Sequence, residues 1–318
     1  MSEISINNFD DLVLKASKLP PARVAVVWAT HAEAFAAVAE AQRTFKTEFH
    51  LIGDHQVIED GLTLQGASVG EVQIHHRTDA ELALRKSIEL VRDGKVDILM
   101  KGSIDTSQMM KAVLAEDSGL RTGRLLSDIV LIEYPARRSN KFVMITDGGI
   151  VLMPDLEDKI ELVNNAVEIA HILGNPCPKV AILSATELVL PNLQSTVDAA
   201  ALTKMNQSGQ IRGCIVHGPL ALDNALSPEA AAAKGIESPV AGQAEILVAP
   251  NIESANILAK STTYFGNLRL AHIVVGARIP ILIPSRADKS DARVLSIALG
   301  IVVNSAVKPR RAHAPLAK

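Results

Sequence analysis

Short runs of branched apolar residues alternate with longer amphipathic runs along most of this chain. No other feature limits its fold so tightly. "RVAVVWA" (23–29), "FHLIG" (49–53), "VQIHH" (72–76) and "VDILMKG" (96–102) have the length and composition of strands. Between them lie the Ala-rich helix 31–45 and the segment 79–94, whose apolar residues keep helical spacing up to a terminal glycine. "DIVLIEY" (128–134) and "KFVMITD" (141–147) form a hairpin across the turn at Pro135. The rhythm then resumes with helix 156–173, strand "KVAILSA" (179–185), helix 192–208 and strands "GCIVHG" (213–218) and "AEILVAP" (244–250). Helix 252–266, strands "AHIVVG" and "PILIP", and a last helix over about 287–303 complete it. Such alternation gives an α/β fold: a mostly parallel sheet with helices on both faces. The units are too many for one simple sheet, so two α/β domains are expected. The glycines and proline of "DGGIVLMPD" (147–155) mark a boundary.

Composition removes several classes of function. With 318 residues, 48% of them hydrophobic, the chain has enough apolar material for a large core. A net charge of −3 offers no basic field for nucleic acid, and six Phe, two Tyr and one Trp are too few for a base-stacking platform. Cys177 and Cys214 have no metal-ligand spacing and imply no disulfide framework; both are expected to be buried small apolar residues. The start "MSEISINNFDD" is acidic and polar, unlike a signal peptide, and no apolar run nears the length of a membrane span. A cytoplasmic protein without a membrane partner is expected.

Familiar catalytic signatures are missing. There is no G-x-G-x-x-G after the first strand, no G-x-x-x-x-G-K-[ST], no H-E-x-x-H and no G-x-S-x-G. What remains are strand ends carrying small, hydroxyl and cationic residues. In "MKGSIDTS" (100–107), Lys101, Ser103 and Thr106 follow a strand, where parallel sheets hold ligands, although Asp105 or Thr106 also suits a helix cap. "GLRTGRLLSD" (119–128) sets Arg121 and Arg124 beside two glycines, and arginine is the fork donor suited to phosphate or else a solvated surface residue. Asp223 in "HGPLALDNA" and Asn256 in "PNIESAN" stand just past two further strands, at positions that also fit ordinary turns and caps. Taken together, these ends suit a small polyanionic ligand in a cleft.

"PSRADKSDAR" (284–293) poses the sharpest alternative. Ser285 with Asp288 three residues on fits a capping box, and a carboxylate suits the positive end of a helix. The same N-terminus, with Arg286 beside it, is also an anion site. Asp288 and Asp291, one helical turn apart, are expected on one face.

The stretches "KGSIDTSQMMKAVL", "GLRTGRLLSD", "GQIRGCIVHGPLALDNALS", "SPVAGQAEILVAPNIESANIL" and "IPILIPSRADKSDA" together resemble the phosphate acetyltransferase/phosphate butyryltransferase family, from about residue 15 to 305. "GLRTGRLLS" and "GPLALDNA" bring the chain nearer the butyryl branch. The resemblance implies reversible transfer of a short acyl group between CoA and orthophosphate. It also implies an isocitrate/isopropylmalate dehydrogenase-like fold of two α/β domains with a cleft between them, and a homodimer. Domain I would comprise 1–147 and 285–318, and domain II 148–284. Acyl-CoA and phosphate would be co-substrates, with no bound cofactor or metal.

By that resemblance Ser285 and Arg286 hold phosphate, and a nearby aspartate, Asp288 or Asp291, takes the proton of the CoA thiol. Lys101, Ser103, Thr106, Arg121, Arg124, Asp223 and Asn256 are the candidate substrate-binding residues. The thiolate is the nucleophile, so a carboxylate base suits attack on an acyl phosphate. Direct transfer in a ternary complex needs no protein nucleophile. The sequence departs from the family at four places. The acetyl branch has its acid where this chain has Ala292 or Arg293. His217 stands where an acid is usual, Asn251 where an aspartate is common and Val151 where an asparagine is common. These replacements motivate the alternative of an acyl-CoA or phosphate sensor that binds without turnover. A metal-dependent decarboxylating dehydrogenase on the same fold would need an aspartate cluster and a nucleotide loop, and the sequence has neither.

Overall fold

The computed structural model describes residues 6–137, 140–285 and 288–311. The chain forms two compact units, one built from Phe9–Arg124 and the chain from Leu270 onward, the other from Leu125–Arg269.

The first unit begins with α1 (Phe9–Ser17), β1 (Arg23–Val27), α2 (Ala32–Phe45), β2 (Glu48–Gly53), α3 (His55–Leu64) and β3 (Val72–His76). It continues with α4 (Ala80–Arg92), β4 (Ile98–Lys101) and α5 (Thr106–Val113). Aspartates cap two of these helices: Asp54 accepts from Val57 N at 3.0 Å before α3, and Asp79 from Leu82 N at 2.8 Å before α4. Val24, Ala25, Val26 and Val27 are all fully buried, because helices cover both faces of this sheet.

The second unit contains β5 (Ser127–Glu133), β6 (Phe142–Thr146), α6 (Leu156–Ile172), β7 (Lys179–Leu183) and α7 (Gln194–Gln207). After them come β8 (Ile215–Leu220), α8 (Leu222–Leu226), α9 (Pro228–Ala233), β9 (Ile246–Val248) and α10 (Ile252–Tyr264). Its strands run in the order β5-β6-β9-β7-β8, with β5 antiparallel to β6 and the others parallel. Inside this unit Lys159 of α6 bonds Asp198 of α7 at 2.5 Å, with both side chains buried.

The chain then returns to the first unit through β10 (Leu270–Val275), β11 (Ile281–Leu282) and α11 (Ser290–Arg311). That unit's strand order is β3-β2-β1-β4-β11-β10, parallel except for β10 against β11.

The crossings fall between Arg124 and Leu125 and between Arg269 and Leu270, not at 147/148 and 284/285 as the sequence suggested. Strand pairing explains the shift. β5 pairs with β6, and β6 lies beside β9, so the hairpin belongs to the second unit. β11 lies beside β4, which draws β10 and β11 into the first. The expectation that no segment nears membrane-span length also needs correction. Ser290–Val307 of α11 has a mean hydropathy of 1.4 over 18 residues, enough by length and composition to cross a membrane. Two thirds of it is buried within the fold, however, and it packs on β10, α1 and α2 as a core helix.

Candidate functional site

Parallel β1, β4 and β11 send their carboxyl ends to one edge of the first unit. The turns there are knitted by backbone. Gly102 N donates to Val27 O at 2.9 Å, and Ser103 N to Trp28 O at 2.9 Å. A Cβ on Gly102 would stand 2.4 Å from Trp28 O and 2.5 Å from Val27 O, so only glycine fits this approach. Trp28 itself takes a left-handed φ of 57°.

Lys101 is 4% exposed at this edge, and the Ser103 and Thr30 hydroxyls share a short hydrogen bond. Thr106 is the first residue of α5. Asp105 is its cap, in a capping box with Gln108, so the capping alternative accounts for this turn.

The residues after β11 reach the same edge. Asp288 Oδ2 accepts from Ser285 N at 2.7 Å, while Asp288 N donates to Ser285 O at 3.1 Å. This is the back-reaching half of a capping box, closed into a tight turn before the helix rather than inside it. α11 starts at Ser290, not near 287, so Asp288 precedes the helix and Asp291 sits in its first turn, exposed. The two acids therefore do not share a helix face as their spacing suggested. Arg286 lies outside the described residues.

Three residues that sequence reasoning did not connect with Ser285 or Asp288 surround the turn. Arg293, fully buried on α11, donates from Nη2 to Ser285 O at 2.9 Å. His272 of β10 brings Nε2 within 3.8 Å of Asp288 Oδ2. Glu33 of α2 accepts from Ser290 N at 2.9 Å, which ties the starts of α2 and α11 together.

Arg121 and Arg124 are exposed, and their loop is anchored elsewhere. Thr122 donates to Gly276 O, and Leu120 O accepts from Arg278 N at 2.8 Å. Gly276 and Arg278 belong to the turn leading from β10 into β11, at the edge where β11 begins.

In the second unit the predicted residues stand at carboxyl ends of parallel strands. Asp223 is exposed in the first turn of α8, after β8. Asn256 of α10 donates to Gly148 O at 2.9 Å and so holds the loop after β6. Asn251 caps α10: its Oδ1 accepts from Ser254 N at 3.0 Å and from the Ser254 hydroxyl. An aspartate would cap in the same way, so this departure from the family keeps the local structure. His217 lies on β8, and burial lowers its pKa, which keeps the ring neutral where an acid is usual.

A buried acid pair in this unit was not foreseen. Asp128 of β5 meets Asp147, the residue after β6, and donates its backbone N–H to that side chain. Asp147 Oδ1 accepts from Gly149 N and Ile150 N at 2.8 Å each, and Oδ2 accepts from Asp128 N at 2.8 Å. Burial, then the Asp128 charge, raises the Asp147 pKa to about 7 against the pull of those three donors. The hairpin is visible in the sequence; the meeting of these two acids at its open end is not.

Cys214 is buried, and burial pushes its thiol up to about 11. Cys177 is exposed, contrary to expectation, because it lies in the turn before β7 where no core reaches. Among the described residues no group of three His, Cys, Asp or Glu side chains is placed to hold a metal ion.

Residues 37–301 match the family model described as phosphate acetyl/butaryl transferase. The phosphate butyryltransferase of Clostridium beijerinckii is 38% identical over 93% of this chain and 97% of its own. The phosphate acetyltransferase of Rickettsia typhi is 40% identical over 97% of this chain and 88% of its own. A crystal structure of a branched-chain phosphotransacylase from Enterococcus faecalis V583 superimposes with a TM-score of 0.79, at 29% identity, over 89% of this chain and 99% of that one. Solved 4-hydroxythreonine-4-phosphate dehydrogenases, 11–12% identical with a TM-score of 0.53, share the fold alone.

Proposed function

The chain belongs to the phosphate acetyl/butyryl transferase family, and from that premise we propose how its residues divide the work of moving an acyl group between CoA and orthophosphate. The activity itself, reversible and enzymatic, is that of a phosphate acyltransferase. Ser285 and Arg286 hold phosphate, Asp288 receives the thiol proton, and the acyl group passes directly between the two bound substrates. The observation that supports this reading is the Ser285–Asp288 turn, whose two mutual hydrogen bonds hold the Asp288 carboxylate against the Ser285 backbone ahead of α11.

The chemistry follows from that pairing. In the direction of thioester synthesis, a carboxylate within reach of the CoA thiol takes its proton and releases the nucleophilic thiolate. In reverse, phosphate attacks the thioester carbonyl. An arginine fork holds the phosphate in line, and N–H or hydroxyl donors meet the oxyanion as it forms. Asp288 is preferred to Asp291 as base because it already lies against Ser285, whereas Asp291 faces away into solvent. Lys101, Ser103, Thr106, Arg121, Arg124, Asp223 and Asn256 are assigned to substrate contact.

The acyl group is short, butyryl-like or acetyl. The enzyme works in the cytoplasm as a homodimer and holds no resident cofactor. The sensor alternative loses one of its reasons, since Asn251 caps α10 as an aspartate would. Arg286→Ala tests the assignment. It should lower kcat/KM by about 100-fold or more, the scale of losing one oxyanion or phosphate donor. Unchanged kcat/KM would remove Arg286 from the site.

A further inference from the structure

We infer that Arg293 is a positioning residue for phosphate: it fixes Ser285 from behind, and its charge underlies the turn that receives the substrate. This rests on the acyltransferase reading above. Arg293 is fully buried in the first turn of α11. Among the described residues its guanidinium is met by Ser285 O, at 2.9 Å from Nη2, and Nε and Nη1 meet no hydrogen-bond partner. A buried guanidinium with idle donors is costly, and an apolar side chain of similar volume would pack α11 without that cost. Stability of the core therefore does not account for the residue.

Its surroundings give it a use. The Ser285 carbonyl accepts from both Arg293 and Asp288 N, and the Ser285 N–H donates to Asp288 Oδ2. With both backbone groups committed, the direction of the Ser285 side chain is set, and Arg293 supplies one of the three bonds that set it. Burial lowers the pKa of Arg293, but the carboxylates of Asp288 and Glu33 oppose this and favour the charged form. The cation sits behind the turn and offsets the charge of an arriving phosphate. Arg293 touches no solvent, so it acts through Ser285 rather than on the substrate.

The test compares Arg293→Met and Arg293→Lys with the parent in steady-state kinetics, varying phosphate and butyryl-CoA in turn. The inference predicts a KM for phosphate raised about 10-fold or more in Arg293→Met, the scale of losing a charged hydrogen bond, with the KM for butyryl-CoA unchanged. Arg293→Lys should fall between the two. If Arg293→Met fails to fold, Arg293→Lys alone decides, through a several-fold rise in the KM for phosphate only. Phosphate KM within twofold of the parent in a folded variant, both KM values rising together, or failure of both variants to fold would each overturn the inference. Calorimetric titration of the same proteins with inorganic phosphate separates the two readings. A parent that binds phosphate without turnover contradicts the acyltransferase, whereas equal phosphate affinity in parent and variants contradicts the role of Arg293.

Discussion

Asp147 offers a prediction with a definite sign. Its folded pKa of about 7 lies above the ordinary 3.8, so the folded state holds the proton more tightly than the unfolded chain. The stabilisation this brings is complete below pH 4 and is lost as pH climbs to about 7. Melting temperature should therefore fall between pH 5 and pH 8, and Asp128→Asn, by removing the facing charge, should flatten that fall. An identical slope in parent and variant would show that Asp128 does not set the titration. Gly102 gives a steric counterpart. The atoms a Cβ would meet are the carbonyl oxygens of Trp28 and Val27, and backbone cannot step aside as a side-chain end can. Gly102→Ala should cost roughly 2–3 kcal/mol, measured by urea unfolding. It should also lower turnover, because the turn carrying Lys101 and Ser103 must shift.

At the scale of elements, the buried pair joining α6 to α7 is the clearest liability. Lys159→Met would leave Asp198 charged and buried with only the Gln194 amide at 2.7 Å, a loss of about 3–5 kcal/mol in unfolding free energy. Adding Asp198→Leu to that variant should restore most of it; if the double variant stays as unstable as the single one, the charge is not the cause. Most strands and long helices were legible in the sequence, because runs such as "RVAVV" and "KVAIL" are apolar on both faces and hardly resemble anything else. The unit boundaries were not legible. They depend on β6 pairing with β9 and β11 with β4, partners about 100 and 180 residues apart in the chain, and no local signal carries that. The start of α11 was misjudged for a related reason: Asp288 closes a turn against Ser285 before the helix, and a capping pattern looks alike in both settings. His272 and the contact of Arg293 with Ser285 escaped notice because each residue sits in an apolar run and joins the Ser285 turn only through the pairing of β10 with β11 and the packing of α11.

For the whole molecule, the account turns on one reaction. Ser285, with Asp288 bonded to it and Arg293 behind it, forms a turn ahead of α11, and the family to which the chain belongs uses phosphate and CoA. Ser285→Ala should lower kcat by about 10- to 100-fold with stability nearly unchanged, since the turn is held by the Ser285 backbone. A fall in stability without a fall in kcat would make Ser285 structural only. The most direct measurement is release of CoA thiol from acetyl-, propionyl-, butyryl- and isobutyryl-CoA, each with and without orthophosphate. Release that requires phosphate, fastest with a four-carbon acyl group, is the predicted result. Binding of CoA without phosphate-dependent release from any of the four would contradict the account.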